Sequence, residues 1–171
     1  MSNFELPERI HPYQLVEKQE ELEGVVAASR LPRLMQAATA IDEPARVHLT
    51  FKRDDSGRRV ISGKVSCAVE LQCQRCLTSF SYELSGEFAL ALVYNDEMAK
   101  ALPAELDPLL LLPDVQLEVA SIVEDELLLS LPMHAMHPEG NCQIKTQFGM
   151  DDSEQATERA PSPFDILKDL K

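Results

Sequence analysis

The sequence predicts an α+β fold in which an antiparallel β meander, or barrel-like sheet, packs with two or three helices. Stretches between residues 45 and 93 alternate apolar and polar residues, which is the period of a β-strand. Polar turn sequences separate these stretches, as in hairpins. The flanking segments carry apolar residues at helical spacing instead. We expect a single domain over residues 1–148, followed by a disordered acidic tail over residues 149–171.

The N-terminal region predicts two helices with a strand between them. Pro12 suits the first turn of a helix that we expect to end near residue 22, where the strand begins. Ser29 is a suitable N-cap for a second helix over residues 31–40. Pro44 prevents that helix from continuing.

Residues 45–93 predict three antiparallel strands. Asp54-Asp55-Ser56-Gly57 has the composition of the first hairpin turn. The alternation is imperfect near Gly63, which predicts a β-bulge. The segment from Cys73 to Cys76 then forms the second turn, the place that a zinc knuckle would occupy.

An edge strand and a long helix are predicted after the meander. Residues 109–112 form a short apolar run between two prolines. Asp114 caps a helix that extends to about Leu131, where Pro132 ends it. Its predicted core-facing residues are Val115, Val119, Ile122, Val123 and Leu127.

The net charge of the chain argues against some classes of protein. The charged residues are unevenly distributed between the two halves of the sequence. The 171 residues carry a net charge of −13, which argues against nucleic-acid binding through bulk charge. Residues 1–85 have 11 Lys/Arg against 12 Asp/Glu, whereas residues 86–171 have 5 against 17. No apolar run approaches the roughly 20 residues that span a bilayer, and the N-terminus lacks the features of a signal peptide. We therefore expect a cytoplasmic protein without a membrane partner.

A group of cations in the first half is the candidate RNA-binding surface. Most of them flank the predicted hairpin tip, and Lys and Arg bind phosphates. The candidates are Lys52, Arg53, Arg58, Arg59, Lys64 and Arg75. The alternative is that these are ordinary solvated positions on strands and turns, where exposed charges are common.

The cysteines and histidines indicate a metal site. In a reducing compartment, Cys73 and Cys76 at C-x-x-C spacing indicate zinc more readily than a disulfide. His134, His137 and Cys142 lie far downstream and offer either a His-x-x-His or a His-x4-Cys pair to complete a tetrahedral shell. The alternative is a pair of reduced turn cysteines that bind no metal.

Enzymatic chemistry finds little support in the sequence. A thioredoxin-like redox pair requires its C-x-x-C at a helix N-terminus, where the dipole lowers the thiol pKa, but this pair lies between two strands. No phosphate-binding glycine loop and no Ser/His/Asp set stands out. Cys67 shares the phase of Val65 and Val69 and is expected to be a small core residue. We expect no catalytic residues and no small-molecule substrate.

Two motifs in this order resemble the YceD family. The first is Leu71-Gln72-Cys73-Gln74-Arg75-Cys76-Leu77, and the second runs from Val123 to Pro132, before a tail with Pro-Ser-Pro-Phe. The resemblance covers roughly residues 4–171. It implies a cytoplasmic, non-catalytic bacterial factor in the synthesis, processing or accumulation of large-subunit (23S) ribosomal RNA.

One departure from the family changes the expected metal ligands. Many relatives have a second cysteine pair after the Leu-Pro that ends the helix, whereas this chain has only Cys142 there. A four-cysteine site does not carry over. The resemblance leaves a Cys3His site, with one structural zinc on Cys73, Cys76, His137 and Cys142, since imidazole replaces thiolate well at zinc. We prefer His137 to His134 because it lies closer to Cys142.

Two mechanisms fit the implied function, and they can hold together. In one the chain binds precursor ribosomal RNA directly through its cations, and in the other it is an adaptor whose acidic half engages a basic ribosomal protein or processing enzyme. Outside the ribosome, the alternative is a zinc-stabilised cytosolic interaction adaptor that does not act on RNA. The amphipathic end, Pro163 to Leu170, either docks on its own domain or binds a partner groove.

Overall fold

The computed structural model describes residues 4–138 and 141–142 of the protein. Its elements, in chain order, are β1 (Arg9–Ile10), α1 (Pro12–Lys18), β2 (Glu21–Val26), a 3-10 turn (Ala28–Arg30), α2 (Pro32–Ala37), β3 (Ala45–Arg53), β4 (Arg59–Gln72), β5 (Ser79–Val93), α3 (Asp96–Lys100), β6 (Asp107–Leu110), β7 (Leu117–Glu118) and α4 (Val119–Leu129). No helix in this described part is long and apolar enough to cross a membrane. The predicted domain boundary at residue 148, the tail and its amphipathic end lie outside the described residues.

The main sheet has five strands in the order β2-β3-β4-β5-β6. Strands β3 to β5 form the predicted antiparallel meander, and β2 pairs antiparallel with β3 beside it, which confirms the α+β fold. β6 pairs in parallel with only the last four residues of β5, because the chain returns through α3 before it re-enters the sheet. The barrel-like closure was wrong, since β2 and β6 are separate edges of an open sheet.

One face of this sheet forms the aliphatic core. Helices α1, α2 and α4 cover it, and the two-residue strands β1 and β7 pair with each other beside it. The buried strand residues on this face include Val47, Leu49, Phe51, Ile61, Val65, Cys67, Val69, Leu71 and Leu84. Cys67 is therefore a core residue, as its phase predicted. The opposite face is polar, with Lys64 and Ser85 among its exposed residues.

The predicted bulge near Gly63 was wrong. The pairing of β4 with β3 and with β5 runs through Gly63 without interruption. Gly63 faces Phe88 on β5, and a Cβ atom built on it would lie 2.1 Å from Cζ of that ring. The Phe88 ring thus covers Gly63 and fills the place that an apolar side chain at position 63 would occupy in the alternating pattern.

Three predicted helix boundaries differ from those observed. The first helix ends at Lys18 rather than near residue 22, because Gln19 has a positive φ of 54°. The second ends at Ala37 rather than at residue 40, since Thr39 and Ala40 bond instead to Glu70 of β4.

The last helix, α4, also starts later than predicted. It begins at Val119 rather than after Asp114, because Leu117 and Glu118 pair with β1. Val115 is consequently exposed rather than on the core face, whereas the other four predicted core residues of this helix are buried.

Glu124 joins α4 to α2 and is the one buried charged residue in the described part of the chain. Its Oε1 accepts hydrogen bonds from the backbone N–H groups of Arg33 (2.6 Å) and Leu34 (3.1 Å). Its Oε2 accepts one from Nε of Arg33 at 2.6 Å. The carboxylate thereby satisfies the free N–H groups at the start of α2 and holds α2 against α4. The segment that follows α4 contains His137 and Cys142.

Candidate metal centre

The turn between β4 and β5 is closed by its own backbone. Cys73 follows the last residue of β4, and its N–H donates to the carbonyl of Thr78 at 2.9 Å. The N–H of Leu77 donates back to the carbonyl of Cys73 at 2.8 Å. Cys73 and Cys76 therefore lie on a tight turn between two antiparallel strands, as the sequence predicted.

The segment after α4 crosses this turn and is fixed to it. The N–H of Gln74 donates to the carbonyl of Ala135 at 2.8 Å, and Nη2 of Arg75 donates to the carbonyl of His137 at 3.0 Å. The side chains of His134 and Gln74 approach to 3.2 Å between Nδ1 and Oε1. These contacts bring the downstream ligands to the cysteine turn.

The structure brings all four predicted ligands together. The ligand atoms of Cys73, Cys76, His137 and Cys142 all lie within 4.8 Å of one another. Sγ of Cys73 is 3.9 Å from Sγ of Cys142, and Sγ of Cys76 is 3.4 Å from Nδ1 of His137. A tetrahedral zinc with Zn–S of about 2.3 Å and Zn–N of about 2.0 Å implies edges of roughly 3.8 Å and 3.5 Å. The donor set and its spacing therefore fit zinc.

The electrostatics of the centre favour a thiolate at Cys73. Burial by itself raises the pKa of this thiol. The backbone N–H groups of Cys76, His137 and Arg75, together with the His137 side chain, outweigh burial and hold the pKa at about 5. The pKa of the Cys142 thiol is raised by burial and by the neighbouring Cys76 and Cys73 sulfurs. One cysteine is thus ready to bind a cation, and another must lose its proton when the cation arrives.

Residues around the ligands complete the site, and sequence reasoning did not identify them. The ring of His137 packs against Phe80 of β5, with centroids 4.8 Å apart and planes tilted by 37°. Oγ1 of Thr78 lies 3.1 Å from Sγ of Cys76. Both contacts orient a ligand from outside the shell, which is how neighbouring groups tune metal sites. The only available signal was that Thr78 follows the cysteine pair closely in the chain.

His134 and Cys67 do not belong to the centre. His134 bonds to Gln74 instead of joining the four ligands, in agreement with the preference for His137. Burial, with Glu83 and Glu43 nearby, raises the pKa of the Cys67 thiol to about 11. A thiol with that pKa stays protonated and is a poor metal ligand.

The candidate RNA-binding cations at the hairpin are paired with carboxylates. Arg53 and Arg59 both bind Oε1 of Glu17 on α1, the latter at 3.1 Å. Arg58 binds Oδ2 of Asp54 at 2.6 Å within the hairpin turn. Each of these arginines thus has a negative charge directly beside it.

The remaining candidates lie elsewhere on the sheet. Lys64 is on the polar face, 2.7 Å from Oε1 of Glu87. Arg75 is in the cysteine turn, separated from the hairpin by the length of β4, about 40 Å for a strand of this size. Lys52 has no ion pair within residues 4–138. The six cations therefore do not form one continuous patch, and their contact with RNA stays a prediction.

Comparisons with known proteins point to one family. A family model described as "Large ribosomal RNA subunit accumulation protein YceD" matches residues 61–171. A relative of the same description from Haemophilus influenzae is 32% identical over 174 aligned residues, which cover 100% of this chain and 99% of the relative. No solved structure matches the chain.

Proposed function

The chain belongs to the YceD family, and on that premise we propose that it is a non-catalytic cytoplasmic factor in the synthesis, processing or accumulation of large-subunit ribosomal RNA. The observation that carries the proposal is the end-to-end match to a relative named for large ribosomal RNA subunit accumulation. The match covers all of this chain and nearly all of the relative.

The candidate metal centre supports a structural role for zinc within this function. The four candidate ligands would complete a tetrahedral zinc shell and would leave no open position for water or substrate. A zinc ion there would join the β4–β5 turn to the segment that leaves α4. Zinc would thus stabilise the domain without taking part in a reaction.

A second candidate mechanism, an adaptor that binds a protein instead of RNA, is favoured by the pairing of the cations. Of the six candidate RNA-binding residues, four form ion pairs with carboxylates. Exposed pairs contribute only about 0–1 kcal/mol, so they can open, but the adjacent carboxylates repel phosphates. The net charge of −12 over residues 86–171 favours a basic protein as the partner.

The proposed function is tested by removing the gene from its host and measuring the ratio of large- to small-subunit ribosomal RNA. We expect the ratio to fall and to be restored by the wild-type chain. The Cys76→Ser variant should restore it poorly, whereas His134→Ala, which alters a histidine outside the metal shell, should restore it fully. An unchanged ratio in the deletion strain contradicts the proposal.

Direct RNA contact is tested by ultraviolet crosslinking of the tagged chain in growing cells. If RNA is bound at the hairpin, the double variant Arg58→Ala/Arg59→Ala should lose crosslinked large-subunit RNA, and Lys100→Ala on α3 should not. Equal recovery of RNA from both variants would argue for the adaptor mechanism.

A further inference from the structure

Strand β5 has no neighbouring strand along most of its outer edge. It has 15 residues, and β6 pairs with only four of them, Leu90–Val93, which leaves eleven, Ser79–Ala89. Within residues 4–138, no strand pairs with the outer side of these eleven. A long exposed strand edge is a template for another strand, and proteins usually cover or shorten such edges. The length of this edge indicates an occupant from outside the described residues.

The two ends of β5 show which of its backbone groups point away from β4. The carbonyl of Thr78, just before the strand, accepts from Cys73 on the β4 side, whereas the carbonyl of Val93 accepts from Leu111 on the outer side, at 2.8 Å. The N–H and C=O of one strand residue point to the same side, and that side alternates along the strand. The residues whose backbone points outward are all exposed, and they are Ser79, Ser81, Glu83, Ser85 and Glu87.

Helix α4 extends over this outer edge. A Cβ atom built on Gly86 would lie 2.5 Å from Oε1 of Glu126 and 2.9 Å from Oγ of Ser130, so these two side chains lie directly over β5. Glu124 points the other way, towards α2. Each helical residue is rotated by about 100° from the one before, so Leu129 lies about 60° beyond Glu126, on the side away from Glu124. Leu129 is 81% exposed and therefore projects past β5, where the described part of the sheet has no further strand.

The sequence just after the described residues has the alternation of a strand. Residues 143–148 read Gln-Ile-Lys-Thr-Gln-Phe, so Ile144, Thr146 and Phe148 share one face and the polar residues share the other. Isoleucine, threonine and phenylalanine are all enriched in strands. Gly149 then interrupts the pattern.

This segment begins beside the end of the free edge. Sγ of Cys142, the residue before it, lies 3.9 Å from Sγ of Cys73 in the cysteine turn, and β5 leaves the same turn at Ser79. A chain that runs from Cys142 along β5 is parallel to β5, as β6 is. Six residues extend about 20 Å, and the eleven-residue edge is about 36 Å long. The segment therefore fits on the edge without reaching β6.

We propose that residues 143–148 pair in parallel with β5 as a further strand of the sheet, starting at the cysteine turn. Ile144, Thr146 and Phe148 face the core side beneath Leu129. Lys145 lies on the polar face together with Glu83, which has no ion pair within residues 4–138. This strand closes an edge that would otherwise accept a strand of another chain. The inference is independent of the proposed function in ribosomal RNA.

The test is amide hydrogen exchange of the full-length protein, resolved residue by residue by NMR. The variants are Lys145→Pro and Thr146→Pro. Proline has no N–H to donate, and successive N–H groups of a strand point to opposite sides, so one of the two changes removes a hydrogen bond to β5. The matched control is Thr157→Pro, which makes the same change beyond the proposed strand.

The outward N–H groups of β5 should be protected in the wild type. We expect them to exchange at least about tenfold faster in one or both proline variants, and at the wild-type rate in the control. The inward N–H groups, such as those of Tyr82 and Leu84, face β4 and should stay protected throughout, which shows that the sheet is intact. Protection of the outward groups that both proline variants retain would overturn the proposal, as would outward groups that are unprotected in the wild type.

A second measurement needs only the wild type, so it decides the question even where a proline variant does not fold. Nuclear Overhauser contacts between the backbones of residues 143–148 and 79–87 are expected at every protein concentration. Their absence overturns the proposal. Protection of the outward groups that disappears on dilution also overturns it, because the edge is then occupied by a second copy of the chain. Either failure leaves the proposed function unaffected.

Discussion

Sγ of Cys76 lies 3.4 Å from Nδ1 of His137, although 61 residues separate them in the chain. The contact joins the turn at the end of β4 to the segment that leaves α4. Without a metal, a few hydrogen bonds from Gln74 and Arg75 hold these two segments together. A tetrahedral ion would convert this contact into a covalent-strength link at one end of the sheet.

Replacing His137 should weaken zinc binding far more than replacing His134. Losing a group that hydrogen-bonds a metal ligand typically costs about 10–100-fold in affinity, so we expect the loss of a ligand itself in His137→Ala to cost more than about a hundredfold. His134→Ala should change affinity little, because that histidine bonds to Gln74. Competition with a chelator of known affinity measures both variants. Equal losses would show that the ligand assignment is wrong.

Stability of the metal-free, reduced protein should depend on the ionisation of Cys73. Its pKa is lowered from 9.0 to about 5 in the folded chain, so the folded state binds fewer protons than the unfolded state between these values. The stabilisation is complete above about pH 9 and is lost as the pH falls through 5. The unfolding free energies of the wild type and Cys73→Ser, measured by urea denaturation, should therefore converge as the pH is lowered across this window. A difference in unfolding free energy between the two proteins that stays constant with pH would contradict the prediction.

Gly63 should tolerate a larger residue only when Phe88 is shortened. Gly63→Val places atoms in the Phe88 ring, and overpacking of this kind typically costs about 1–3 kcal/mol of unfolding free energy. In a Phe88→Ala background the same change should cost less, because the ring is gone. A double-mutant cycle by urea denaturation measures the coupling. Additive effects would mean that the Phe88 ring does not limit the size of the residue at position 63.

Loss of the charge on Glu124 should destabilise the domain. Glu124→Gln leaves the N–H groups of Arg33 and Leu34 with a weaker acceptor and Arg33 without its buried partner, so we expect a loss of about 2–3 kcal/mol. Asp125→Asn, on the exposed side of the same helix, should change the unfolding free energy by less than about 1 kcal/mol. Thermal and urea unfolding measure both. Similar effects of the two changes would contradict the role of Glu124.

The sequence was sufficient for the parts of the fold that depend on local pattern. Alternation and turn residues predicted the meander, and the spacing of the cysteines and histidines predicted the residues that lie together at the candidate metal centre. Gly63 led to a wrong bulge because the residue that compensates for it, Phe88, lies on the next strand. Closure into a barrel was wrong because the parallel pairing of β6 depends on the route of the chain through α3.

The remaining differences also arise from long-range contacts. Glu124 occupies a core-facing position of α4, three residues from Leu127 and one from Val123, and could have been noted as a buried acid from that spacing alone. Its partner Arg33 could not, since 91 residues separate the two. The pairing of the hairpin arginines with Glu17 likewise depends on where α1 packs.

Native mass spectrometry of the protein purified without added metal tests whether Cys73, Cys76, His137 and Cys142 hold a structural zinc. We expect one zinc ion per chain in the wild type and in His134→Ala, and none in Cys76→Ser. A folded wild-type protein that holds well below one equivalent of zinc, or a Cys76→Ser variant that keeps its full equivalent, would contradict the claim.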